Sequence, residues 1–154
     1  MRQNTRLLCW SLFCLGLILF AACPKEPVRV NMTVNAAADI NPDIAGKPLS
    51  VVVRVYQLKD KGRLESADYS AILKSDTQAL AGDLLENTER ILQPGAQEIF
   101  DVRVNPAANY LGVVALFRNP AGDNWRKIIP IRGKVQKVTL SLREGGLDVV
   151  SIGK

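Results

Sequence analysis

Apolar residues recur at every second position through much of this chain. In residues 49–58 (LSVVVRVYQL), Leu49, Val51, Val53, Val55 and Gln57 share one face, and Ser50, Val52, Arg54, Tyr56 and Leu58 share the other. That is a β-strand with an apolar core face and a mixed face that is only partly covered. Pro48 cannot donate to a ladder and marks its start. Residues 28–34 alternate in the same way, with Val28, Val30, Met32 and Val34 opposite Arg29, Asn31 and Thr33, and form a first strand with one wet face. Residues 110–117 (YLGVVALF) are apolar on both faces and predict a central strand covered on both sides. Pro130 assigns the run 125–131 to an edge. Residues 136–142 and 147–152 flank Gly145-Gly146, a hairpin signal. Pro94-Gly95 between 88–92 and 97–104 favours a second hairpin.

Residues 66–86 have a different period. Ser66 caps a short helix with Tyr69, Ile72 and Leu73 on one face, Ser75 and Gln78 form a second capping box, and Leu80, Leu84 and Leu85 continue the spacing across Gly82. Two or three short helices covering sheet surface are expected there. Eight closely spaced strands with one helical insertion predict a mainly β fold, a two-sheet β-sandwich.

The N-terminal segment does not belong to that pattern. Arg2 and Arg6 precede an apolar run from Leu7, which ends in Phe20-Ala21-Ala22-Cys23. A bulky residue, two small ones and a cysteine form a lipoprotein-type processing signal, so residues 1–22 are expected to be cleaved and Cys23 to carry the lipid. A plain secretory signal cut after Ala22 and an uncleaved anchor are the competing readings, the apolar run being short for a span of about 20 residues. Residues 23–27 (CPKEP) read as a short tether, with 28–154 as the domain. Pro24, after the cysteine, is not the aspartate that retains lipoproteins in the inner membrane, which favours the outer membrane.

Composition narrows the chemistry. The chain of 154 residues contains no histidine, and two of its three cysteines, Cys9 and Cys14, fall in the leader. The mature chain therefore has no internal disulfide, and the common zinc sites, His-dependent triads and Cys nucleophiles are excluded. Its aspartates stand beside turns and helix starts, where capping accounts for them. No cofactor, metal site or enzyme activity is expected. The formal charge falls from +5 to +3 once Arg2 and Arg6 are removed, and few aromatics lie among the scattered cations, which argues against nucleic-acid binding. Trp125 reads as a packing residue and Arg54 as an outward strand residue lying over the sheet.

The segment 35–47 (NAAADINPDIAGK) is aperiodic and long for a connection between strands, a length that usually carries function. Ile40 and Ile44 are its apolar residues, suited either to a partner's groove or to the sandwich itself, and Asp39 and Asp43 suit a charged rim.

The blocks around this loop resemble a known family. NP-x-x-x-G at 41–46, PLSVVVRVYQLKD at 48–60, ADY at 67–69, DLL at 83–85, LQPG at 92–95, YLGVVALFR at 110–118 and WR at 125–126, in that order behind a lipoprotein signal, are similar to the TssJ family, outer-membrane lipoproteins of the bacterial type VI secretion system. The resemblance covers essentially the whole mature chain. It implies a transthyretin-like sandwich, no enzymatic activity, attachment to the outer membrane through Cys23, and binding of the periplasmic C-terminal region of the inner-membrane subunit TssM. The family's inter-strand loop takes part in that binding, and here it corresponds to Asp39, Ile40, Asn41, Pro42, Asp43 and Ile44. A lipoprotein that binds a small ligand or inhibits an envelope enzyme is the alternative from another class.

Overall fold

The computed structural model describes residues 27–133 and 135–153. The leader, Cys23 and the tether as far as Glu26 lie outside the described residues. Eight strands form: β1 (Arg29–Ala36), β2 (Val51–Leu58), β3 (Leu84–Leu92), β4 (Gln97–Arg103), β5 (Tyr110–Leu116), β6 (Arg126–Pro130), β7 (Val135–Arg143) and β8 (Gly146–Gly153). They make two four-stranded sheets, ordered β4-β1-β7-β8 and β3-β2-β5-β6. Every neighbouring pair is antiparallel except β1 and β7. Successive strands alternate in direction, so all connections from an odd to an even strand gather at one end.

The inner faces meet in one core. Val30, Met32 and Val34 from β1, Val51, Val53 and Val55 from β2, Leu111 and Val113 from β5 and Val138, Leu140 and Leu142 from β7 are all buried in it. Two polar groups inside are fully paired. Gln57 crosses between the sheets, donating to the Arg103 carbonyl (3.1 Å) and accepting from the Asn105 amide (2.7 Å). Gln136 accepts from the Arg132 amide at 3.0 Å and fixes the turn that enters β7.

The mixed face of β2 is covered more completely than its sequence suggests. Tyr56 and Leu58 are fully buried there beneath two helices, α1 (Gly62–Ser66) and α2 (Tyr69–Leu80), followed by a 3₁₀ turn at Ala81–Asp83. Gly112 on β5 makes room for α1. A Cβ at that position would lie 2.3 Å from Leu64 Cδ2 and 3.1 Å from Leu58 Cδ1. Arg54 is structural, as read, but it does not lie over an open face. Its guanidinium reaches Glu89 (2.6 Å) and Asp76 (3.3 Å), and Asp76 also accepts the Tyr56 hydroxyl at 2.9 Å. This group of four side chains fastens α2 to the sheet at its break, Ser75, where the backbone leaves helical geometry.

Several expectations need correction. Ser66 ends α1 rather than opening a helix, its hydroxyl donating to the Gly62 carbonyl at 2.9 Å. Asp60 accepts from the Gly62 amide (2.7 Å) at the start instead. Leu73 is 49% exposed. Leu84 and Leu85 belong to β3, because strand pairing with β2 outweighs their helical spacing. The Pro94-Gly95 turn joins no hairpin, since β3 and β4 lie in different sheets. It crosses the sandwich and is tied to the end of β1 by Gly95 N to Ala37 O (3.0 Å) and Ala36 N to Ala96 O (2.8 Å). The edge position of β6, the central position of β5 and the β7–β8 hairpin agree with the pattern. Trp125 is buried, edge-on to Tyr69 at 5.1 Å and 4.6 Å beneath the Arg126 guanidinium, a packing residue as read.

Candidate functional site at the loop end

The connection between β1 and β2, residues 37–50, is built by its own hydrogen bonds. Ala37 N donates to the Leu142 carbonyl (2.9 Å), and Leu49 N donates to the Ile40 carbonyl (3.2 Å), closing the loop's base. Ile40 plugs that base and has no exposed surface. Asn41 follows with φ of 50°, in the left-handed region that asparagine tolerates better than most residues. Its side chain is buried and satisfied at both ends: Nδ2 donates to Ser50 O at 2.7 Å and Oδ1 accepts from Arg118 N at 2.7 Å. One residue thus closes the loop and ties it to the β5–β6 connection.

The tip is a small ring around Asp43. Its Oδ1 accepts from the amides of Ala45 and Lys47, both at 2.9 Å, its own amide donates to Lys47 O (2.9 Å), and its carbonyl accepts from Gly46 N (3.0 Å). Gly46 supplies the φ of 78° that this turn requires. Ile44 sits at the top of the ring, 97% exposed. Asp39 is exposed, and Pro42 and Asp43 are half-buried.

Two further connections complete the surface. The β7–β8 turn packs against the β5–β6 connection, with Ala121 N donating to Gly145 O at 2.8 Å. Gly145 has φ of 64°, and a Cβ there would lie 2.9 Å from the Asn119 carbonyl oxygen. Between the three connections lies a cleft of about 410 Å³, lined by Asn41 to Ile44 on one side and by Arg118, Asn119, Glu144 and Gly145 on the other. Arg118 and Glu144 are exposed, with opposite charges, and neither forms an ion pair among the described residues.

The six loop residues named from the sequence therefore divide by role. Ile40 and Asn41 are internal scaffold: burial removes Ile40 from any partner's reach, and Asn41, although it lines the cleft, is almost wholly buried with its side-chain amide bonded at both ends. Asp39, Pro42, Asp43 and Ile44 remain at the surface. Sequence reading missed Arg118, Asn119, Glu144 and Gly145. Both of their turns are visible as Asn-Pro and Gly-Gly signals, and the signal that joins them is strand parity, since all four odd-to-even connections share an end and these turns are two of them. Among the described residues no cluster of acidic, cysteine or histidine side chains could hold a metal, and no helix is long and apolar enough to cross a membrane. The strongly displaced ionisation is that of Tyr56, raised by burial and by its bond to Asp76, and it lies beneath α2 away from the cleft.

Comparisons with known proteins fit this architecture. A family model described as "Type VI secretion lipoprotein, VasD, EvfM, TssJ" matches residues 28–145. The crystal structure of the lipoprotein TssJ1 from Pseudomonas aeruginosa is 29% identical, with a TM-score of 0.75 over 80% of this chain and 95% of that one. A chain of a structure described as "Type VI membrane complex" is 33% identical, with a TM-score of 0.74 over 82% of this chain and all of that one. A chain of a structure described as "T6SS protein TssM C-terminal domain (869-1107) from EAEC" is 32% identical, with a TM-score of 0.71 over 79% of this chain and 99% of that one. No curated protein matches. The match over residues 28–145, together with relatives above 30% identity aligned over nearly their whole length, means that this chain belongs to the type VI secretion lipoprotein family that includes TssJ.

Proposed function

We propose that the protein is a lipid-anchored tether: acyl chains on Cys23 hold it at the periplasmic face of the outer membrane, and its loop end binds the periplasmic C-terminal region of TssM. No catalytic step is involved. The observation that carries the reading is the placement of the two ends. The chain enters the domain at Pro27 and Arg29, while residues 37–50 lie at the far end of β1, about 25 Å away at the usual strand rise. A lipid on Cys23 therefore leaves Ile44 and the cleft facing away from the bilayer. Ile44 offers an apolar anchor, and Arg118 and Glu144 offer a charged rim, the usual division within a docking surface.

The TssM-named structure supports the same partner. Its matching chain is 99% covered by 79% of these 154 residues, so it is about half as long as a segment running from 869 to 1107. That length suits a lipoprotein of this family standing beside the TssM domain. The test is capture of the periplasmic region of TssM by the unacylated Cys23→Ser chain, with and without Ile44→Asp, together with fractionation of cells expressing Cys23 or Cys23→Ser. Loss of capture with Ile44→Asp and release of Cys23→Ser into the soluble periplasm are expected. Unchanged capture moves the docking surface elsewhere, and membrane retention of Cys23→Ser removes the lipid anchor.

A further inference from the structure

The end of the sandwich nearest the tether carries an excess of positive charge on one side. On the outer face of the sheet β4-β1-β7-β8, Arg29 stands directly opposite Arg103, and Val135 is its partner on the other flank. The next row along that face holds Asp101, Asn31 and Lys137. Arg132 follows in the turn from β6 to β7. All four cations are exposed, and Val135 is 49% exposed among them. Asp101 is the acid on this surface, and it is engaged by Arg29 at 3.0 Å. Arg103, Arg132 and Lys137 form no ion pair among the described residues.

Like charges directly opposite on a ladder disfavour the pairing. Here Arg29 and Arg103 oppose each other at a strand end, and the one carboxylate beside them, Asp101 in the next row, is paired with Arg29, an arrangement that an external anion relieves. The rest of the molecule makes the asymmetry plain. On the other sheet's side of the same end, Lys61 is paired with Glu65 and Arg63 with Asp83. At the loop end the charges balance, Asp39, Asp43, Asp123 and Glu144 standing with Lys47, Arg118, Arg126 and Arg143.

We infer that Arg29, Arg103, Arg132 and Lys137 form a second, electrostatic contact with an anionic phospholipid surface, which stands the domain on the bilayer with its loop end outward. Position argues for a membrane rather than a soluble anion. Arg29 lies six residues beyond Cys23, so the tether cannot exceed about 20 Å. The proposal rests on Cys23 carrying the lipid for its biological setting, but the patch itself acts without acylation. A basic patch close to a lipid anchor adds electrostatic attraction to anionic lipid at about 1 kcal/mol per cation.

The experiment uses the unacylated Cys23→Ser chain and vesicles of phosphatidylglycerol with phosphatidylethanolamine, compared with vesicles of phosphatidylcholine. Flotation is expected with the anionic vesicles only and is lost at high salt. Arg29→Gln/Arg103→Gln/Arg132→Gln should lower the partition coefficient about 100-fold, at about fivefold per cation. Lys74→Gln/Arg90→Gln/Arg143→Gln, which removes as much charge elsewhere, should bind like the parent. Equal binding to neutral vesicles, or equal losses in the two triple variants, overturns the patch. Far-ultraviolet circular dichroism of both variants establishes that each is folded. Failure here leaves acylation untouched, because fractionation of the Cys23 and Cys23→Ser proteins reads that separately.

Discussion

Ile40 and Ile44 are four residues apart in one loop and occupy opposite environments: Ile40 has no exposed surface, and Ile44 is 97% exposed. The Asp43 ring between them turns the chain so that one isoleucine is sealed under the loop and the other is lifted off it. Stability and the proposed docking role are therefore separable within the loop. Ile40→Ala should cost about 2–5 kcal/mol in denaturant unfolding, as expected for a buried isoleucine that leaves a cavity. Ile44→Asp should change stability by no more than about 0.5 kcal/mol while weakening capture of TssM. Equal losses of stability at both positions would contradict the division.

Gly112 and Leu64 should behave as a coupled pair. Gly112→Ala pushes a methyl group into Leu64 and should destabilise by about 1–3 kcal/mol, the range for overpacking a core. Leu64→Ala alone leaves a cavity and costs about 2–5 kcal/mol. The double variant should be more stable than the sum of the two losses predicts, because each change relieves the other. A double-mutant cycle with no interaction term would show that α1 does not rest on β5 in this way.

Tyr56 predicts an alkaline limit. Burial, with the bond to Asp76, raises its ionisation above the ordinary value of 10. The folded state therefore holds the phenolic proton more tightly than the open chain does. That contribution is complete below pH 10 and is lost as pH rises toward the folded value. Tyr56→Phe forfeits the hydroxyl bond, about 1 kcal/mol, but also removes this pH dependence. Between about pH 8 and about pH 11 the parent should lose more stability than Tyr56→Phe. Parallel curves would mean that Tyr56 ionises without penalty.

Much of this fold is legible in the chain because alternation is a local property. The strand beginning near Val51 and the doubly buried strand at Tyr110–Leu116 declare themselves by which residues share a face. Leu84 and Leu85 do not, since leucines spaced to follow Leu80 on a helix fit a strand equally well until β2 offers them a partner. The same limit applies at the site. The loop's length marks it, but which isoleucine faces out depends on a ring closed by Asp43, and the cleft depends on contacts to Arg118 and Gly145, far along the chain.

The one parallel pairing among the described strands has a consequence for how the domain is made. β1 is flanked by β4 and β7, and the register that sets Met32 against Val138 joins residues more than a hundred positions apart. Such long-range pairings form late, because a large loop must close before any contact rewards it. In a chain made from its N-terminus, residues 37–50 are among the first to emerge, yet the strand that fixes their footing is among the last. The β1–β2 loop thus gains its tie to β7, from Ala37 N to the Leu142 carbonyl, only when synthesis is nearly complete, and a chain that stops short of β7 is left with the loop's own bonds and its link to Arg118.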